Sequence, residues 1–191
     1  MKVDAIEVDV RSYKGELYLS HDKIKDVKKC IKLTDALSLI SRKSGIMLDI
    51  KEHLNTTTLV NCIEDFKGTI YISGTYSDII KRIKESFPKV VALISVQNNK
   101  TIDEIPEFID GVSIRYTILN KDLAENLHHR GMYIAAWTVN KKSKIKYLVD
   151  IGVDAIITDK PSFLFISDLS LIHISEPTRP LYISYAVFCL K

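Results

Sequence analysis

The chain has 191 residues, 46% of them hydrophobic and 27% charged, which is enough apolar material for one folded domain and excludes disordered and fibrous classes. Its 27 basic and 24 acidic residues are mixed along the sequence and leave a net charge of +3, too mild a bias for a nucleic-acid partner. Cys30, Cys62 and Cys189 are widely spaced and form no CxxC pair, so neither a disulfide framework nor a zinc knuckle is indicated and a reducing, cytoplasmic setting suits them; no run reaches the roughly 18 to 20 apolar residues of a stable membrane span.

The first residues carry no signal-peptide core and run directly into strand pattern. In residues 3–22, VDAIEVDVRSYKGELYLSHD, apolar and acidic residues alternate at period 2, so Glu7 and Asp9 share one strand face and Ile6, Val8 and Val10 the other. Tyr13-Lys14-Gly15-Glu16 is a turn signal, and residues 17–20 form a second short strand that returns His21 and Asp22 toward the same edge. Metal ligands and an acid/base group can therefore meet there. A lysine-rich connection follows over residues 23–32, then a helix over 33–40, with Thr34 as its cap, Ala36, Leu37, Leu39 and Ile40 as its apolar face, and Gly45 as its stop. Residues 46–51 are an almost unbroken apolar strand, as expected of a strand covered on both sides, with Asp49 and Lys51 as its polar exceptions.

The unit then repeats. Helices are predicted over residues 56–66, 77–87, 121–129 and 143–150, and strands over 69–73, 90–95, 111–114, 133–137 and 155–158. Ile79, Ile80 and Ile83 mark one helix face, Asn120 caps the helix over 121–129 and Gly131 closes it, and Gly152 stops the helix over 143–150. Such alternation means α/β architecture with parallel strands joined by right-handed crossovers, hence an open doubly wound sheet or a closed barrel. Seven strands are one short of the eight of a barrel, whose typical length is about 250 residues. From Ser162 the rhythm stops, and SLIHISEPTRP at residues 170–180 looks like the translated read-through tails that end many unrelated predicted proteins. Residues 162–191 are therefore expected to be artefactual or disordered, outside a folded unit at residues 1–161.

Five segments, in order, resemble a known family. Ala5-Ile6-Glu7-Val8-Asp9-Val10 with His21-Asp22 resembles the "E-x-D-V … H-D" signature of the glycerophosphodiester phosphodiesterases, relatives of the phosphatidylinositol-phospholipase-C-like barrels. Leu33-Thr34-Asp35-Ala36-Leu37 is similar to their "T-L-x-E-A-L" helix, and Leu48-Asp49-Ile50-Lys51 to their "E/D-x-K" strand. Ala136-Trp137-Thr138-Val139-Asn140 resembles "W-T-V-N", and residues 152–161 resemble "G-V-D-x-I-x-T-D-x-P". The resemblance covers residues 2–161. It implies a (β/α)8 TIM barrel. Family members begin with a strand ending in "H-R-G" and a "P-E-N-T" loop before the segment where this sequence starts. The expectation is thus a barrel lacking its first strand-helix unit, of about seven parallel strands, together with one catalytic histidine and a phosphate-binding arginine, read from a start at an internal Met.

The resemblance also implies chemistry. Glu7, Asp9 and Asp49 correspond to the family's metal ligands, a hard-oxygen set suited to a divalent metal, Ca²⁺ or Mg²⁺. His21 corresponds to a general acid for the leaving alcohol, Lys51 to a phosphate contact and Trp137 to a pocket-lining aromatic. The implied partner is a small-molecule glycerophosphodiester, cleaved to glycerol phosphate and an alcohol. The alternatives are a catalytically incompetent piece that binds a cation or phosphate, and a barrel acting on lysophospholipids or inositol phospholipids. His53, His128, His129 and the cysteines are read as structural, with the cysteines as small core hydrophobes, and His173 falls in the tail. A barrel one strand short leaves two open sheet edges, so low solubility is expected.

Overall fold

A computed structural model describes residues 4–40, 44–98 and 102–164, and the backbone of 184–190. β1 (Ala5–Tyr13) turns at Lys14 and Gly15, both at positive φ, into antiparallel β2 (Glu16–Leu19), to which β3 (Ile31–Lys32) adds a further antiparallel pairing. Then come α1 (Leu33–Leu39), β4 (Gly45–Ile50), α2 (Thr56–Ile63), β5 (Ile70–Gly74), α3 (Ser77–Ser86), β6 (Val91–Val96) and β7 (Gly111–Arg115). α4 (Lys121–His129), β8 (Tyr133–Trp137), α5 (Lys142–Asp150), β9 (Ala155–Thr158) and β10 (Ser184–Leu190) complete the order. No helix of the described residues is long and apolar enough to cross a membrane.

The seven expected parallel strands, β1 and β4 to β9, stand side by side in chain order. The tail reading differs at one place: β10 pairs in parallel with both β9 and β1, so eight parallel strands close on themselves. The physical reason is the open edge. β1 presents residues 5–10 to β4 on one side; on its other side β10 takes residues 5–8 and β2 takes residues 10–13. An apolar, aromatic and β-branched segment such as SYAVFCL supplies the missing backbone partners. Residues 165–183, with His173 and the EPTRP run, lie outside the described residues.

Period-2 alternation divides the barrel's side chains into two cores. Val8 and Val10 of β1, Ile46, Leu48 and Ile50 of β4, and Ile134 and Ala136 of β8 face outward beneath the helices, where they meet Leu59, Ile63, Ile79, Ile80, Ile83, Leu127 and Leu148. Ala5, Met47, Leu93, Ala135, Ala155 and Ile157 point inward as a separate apolar plug, with Tyr71 and Tyr133 rings 5.7 Å apart across it. The unbroken hydrophobicity of β4 thus reflects a strand covered on both faces.

Helix ends show which local signals prevailed. Asn55 and Asn120 accept from the backbone N–H of Thr58 and Leu123, capping α2 and α4. Gly131 and Gly152 take positive φ (75° and 84°) after α4 and α5, as a left-handed helix stop requires. Thr34, in contrast, is no cap. The cap position is Lys32 of β3, which pairs with Tyr18 of β2 directly before the helix begins. Leu33 and Ala36 are buried while Leu39 is 82% exposed, so the buried face of α1 is rotated from the expected one; Gly45 opens β4 rather than ending α1. Cys30 and Cys62 are half-buried free thiols at the margin of the core rather than inside it, and the Cys62 thiol is pushed up by burial.

Candidate active site

The site forms because inward positions change from apolar to polar toward the C-terminal ends of the strands. Along β1 the inward row runs Ala5, Glu7, Asp9; along β4 it runs Met47, Asp49 and then Lys51 just beyond the strand. Register pairs Glu7 with Met47 and Asp9 with Asp49, so acids on two strands become neighbours. One carboxylate oxygen from each of Glu7, Asp9 and Asp49 falls within 4.8 Å of the others. Glu7 and Asp9 are buried, at 7% and 4% exposure.

Such a cluster is unfavourable in a low-dielectric interior unless compensated. Lys51 supplies the compensation: its Nζ is 2.9 Å from Asp9 Oδ1 and 2.5 Å from Asp49 Oδ2. Burial alone would depress the Lys51 ammonium, but Asp49 and Asp9 outweigh it and hold the group above the ordinary lysine range. Ser73, paired with Asp49 in register, donates its hydroxyl to Asp49 Oδ1 at 3.0 Å.

His21 reaches the same mouth through the hairpin. Leu19 pairs with Val10 and Ser20 N–H donates to the Asp9 carbonyl at 3.0 Å, so the chain returns to the level of Asp9 before His21. The imidazole is 61% exposed, and its Nδ1 is 3.1 Å from Asp22 Oδ1. Arg11 holds this loop: Nε and Nη2 donate to the His21 carbonyl at 3.1 and 3.0 Å, while Nη1 donates to Glu52 Oε2 at 2.8 Å. Glu52 also accepts from the Ser12 N–H and hydroxyl. Burial would raise the Glu52 carboxyl, yet the Ser12 and Arg11 donors prevail and hold it below the ordinary range.

A cavity of about 300 Å³ opens over these groups, lined by Glu7, Asp9, His21, Asp49, Lys51 and Trp137 among others. All six site residues expected from the sequence therefore face one volume. Ser73, Ser95 and Ser113 also line it, the first two next to the C-terminal ends of their strands and Ser113 at the middle of β7. Single-sequence reading passed over these serines, although each stands at an inward parity position after an apolar run. Arg11 and Glu52 were also missed, because their pairing spans 41 residues and leaves no local pattern.

The two C-terminal motifs prove to be one structural device. Asn140 Oδ1 accepts from the Thr158 hydroxyl at 3.1 Å and from the Asp159 N–H at 3.0 Å, while Asn140 Nδ2 donates to Asp159 at 2.9 Å. The loop after β8, which carries Trp137, is thereby fastened to the end of β9. His53, His128 and His129 stand outside the cavity: His53 packs edge-on to Tyr76, His128 Nε2 is 3.1 Å from Asp154 Oδ2, and His129 Nδ1 meets the Glu125 carbonyl at 2.7 Å.

Comparison with known proteins bears on the family and the fold. The profile described as the Glycerophosphoryl diester phosphodiesterase family matches residues 26–162. YhdW of Bacillus subtilis (strain 168), assigned as a glycerophosphodiester phosphodiesterase, is 24% identical over 144 residues, covering 69% of this chain and 59% of its own length. The chain thus spans less than two thirds of that curated relative. An Oleispira antarctica phosphodiesterase, solved with the product sn-glycerol-3-phosphate, shares the fold at TM-score 0.73 and 16% identity, over 82% of this chain and 81% of that one. A Parabacteroides distasonis glycerophosphodiester phosphodiesterase shares it at TM-score 0.72 and 18% identity, over 83% and 81%. With residues 26–162, most of its length, matched to the profile, the chain belongs to the glycerophosphoryl diester phosphodiesterase family.

Proposed function

We propose that this site hydrolyses glycerophosphodiesters to glycerol phosphate and an alcohol, with a divalent cation, Ca²⁺ or Mg²⁺, held by Glu7, Asp9 and Asp49. The observation that carries the reading is the convergence of three carboxylates within 4.8 Å on neighbouring strands, at a cavity that also takes in a histidine and a lysine. Three clustered carboxylates are a donor set that fits a hard cation and leaves coordination positions for phosphate oxygen and water. The cation would polarise the phosphoryl oxygen and offset negative charge as the phosphorus is attacked.

The chain's own residues divide the remaining work. Lys51 balances Asp9 and Asp49 and stands ready to contact a phosphate oxygen as a point charge. His21, with Nδ1 toward Asp22, keeps Nε2 to protonate the oxygen of the departing alcohol. Arg11 and Glu52 fix the loop from which that ring projects, and Trp137 forms an apolar wall for the alcohol. The half-buried free cysteines accord with a cytoplasmic location.

The test is a coupled assay of the full chain against glycerophosphocholine and lysophosphatidylcholine, with and without chelator, beside calorimetric titration with Ca²⁺ and Mg²⁺. Chelator-sensitive release of glycerol phosphate from the diester supports the reading. Activity indifferent to chelation overturns the metal assignment, and preference for the lysophospholipid moves the substrate class. Cation binding without turnover identifies a binding piece rather than an enzyme.

A further inference from the structure

Beside Trp137, a lining residue of the cavity, lies a cation that the hydrolytic reading leaves without a task. On β7 the inward row runs Gly111, Ser113, Arg115: Ser113 is buried and lines the cavity, and Arg115, two residues on along the same strand face, ends the strand exposed, beyond the lining residues themselves. Register pairs Arg115 with Trp137 of β8, so the two are cross-strand neighbours on that face. The Arg115 guanidinium carbon is 5.6 Å from the centre of the Trp137 ring. Arg115 is exposed, and among the described residues no carboxylate forms an ion pair with it. In strand order β7 lies four places from β1, on the opposite side of the ring from Glu7 and Asp9.

These placements define what the far end of a bound diester meets. On the proposed reading, in which the phosphate sits at the carboxylates and Lys51 and Trp137 walls the alcohol, the alcohol faces β7 and β8. An aromatic ring at such a place ordinarily attracts a quaternary ammonium group. Here Arg115 already lies against Trp137, and its charge repels a second cation. A planar guanidinium with open donors instead matches a carboxylate or phosphate oxygen pair.

We propose that Arg115, stacked on Trp137, is an anion subsite that selects glycerophosphodiesters whose alcohol carries a negatively charged group over those with a cationic headgroup. The proposal rests on the diester-hydrolase reading of the cavity. Arg115 is a specificity residue and takes no part in bond breaking.

Trp137 is the only tryptophan in the chain, so its fluorescence reports on the subsite whether or not turnover occurs. The full chain, in excess Mg²⁺, is titrated with sn-glycerol-3-phosphate, glycerophosphoethanolamine and glycerophosphoserine; the last two differ only by a carboxylate. Glycerophosphoserine is expected to bind about fivefold more tightly than glycerophosphoethanolamine, the size of one solvent-facing ion pair. Arg115→Gln is expected to abolish that preference, and Arg115→Lys to keep most of it. Circular dichroism checks that the exposed substitutions leave the fold intact. Equal binding of the two diesters by the parent chain, or an unchanged ratio in Arg115→Gln, overturns the subsite while the hydrolase reading stands. Failure of all three ligands to bind overturns both.

Discussion

The two walls of the cavity are built on opposite electrostatic principles. On the β1–β4–β5 wall three carboxylates cluster, and Lys51 and Ser73 interlock with two of them, so that Asp9 and Asp49 each have an opposite charge or a hydrogen-bond donor within reach. On the β7–β8 wall a single cation lies against an aromatic ring at the solvent boundary. The first wall couples function to stability, because its charges are buried and each change leaves another uncompensated. The second is free to vary in what it recognises, since solvent screens whatever is altered there.

The comparison can be broken in several ways, and the largest expected effect is catalytic. His21→Ala should lower diester turnover by about 10²- to 10⁴-fold, the usual contribution of a general acid. Because the ring is 61% exposed, the melting temperature should stay in place; a fall in melting temperature matching the loss of rate would make His21 structural instead.

Next is Lys51→Met, which leaves Asp9 and Asp49 without their counter-charge. Thermal or urea unfolding should show a loss of about 1–3 kcal/mol, the interval between exposed and buried ion pairs, with part of it restored by added Mg²⁺ or Ca²⁺. Unchanged stability would mean that the acidic wall tolerates its own repulsion.

The Arg11–Glu52 clamp should show as pH dependence. The folded-state Glu52 carboxyl is held below its ordinary value, so its contribution is fully present above the unfolded glutamate pKa of about 4.3 and is lost as pH falls through the lower folded value. Glu52→Gln should remove this acid-limb contribution and cost about 1 kcal/mol at neutral pH, as expected for its hydrogen bonds. Superimposable acid limbs for parent and variant would dismiss the clamp. Smallest of all, Arg115→Gln should change stability by no more than about 0.5 kcal/mol. A larger loss would show that the β7–β8 wall is as interlocked as the first.

Much of this was legible in one dimension. Alternation in Ala5-Ile6-Glu7-Val8-Asp9-Val10 assigned Glu7 and Asp9 to one face, and the structure buries both on the interior of the barrel. Asn120, Gly131, Gly152 and the Ile79–Ile80–Ile83 face acted locally and were readable for that reason. The start of α1 was not: Thr34 is a good capping residue by type, but the cap position falls on Lys32, which is paired in β3. Likewise the buried face of α1 depends on how the helix sits against β2 and α2, which no periodicity encodes.

What the sequence by itself determined, then, is the alternation of strands and helices, the parity that sends acids inward and branched apolar residues outward, and the chemical character of six residues that line the cavity. These follow from short-range geometry, a period of 2 along a strand and 3.6 along a helix. Tertiary structure decided the register that sets Asp9 beside Asp49, the Lys51 bridge between them, the Arg11 clamp on the His21 loop, the Asn140 fastening, and the seating of Ser184–Leu190 against β9 and β1. Each of these joins residues far apart in the chain, and ring closure brings together what no local pattern records.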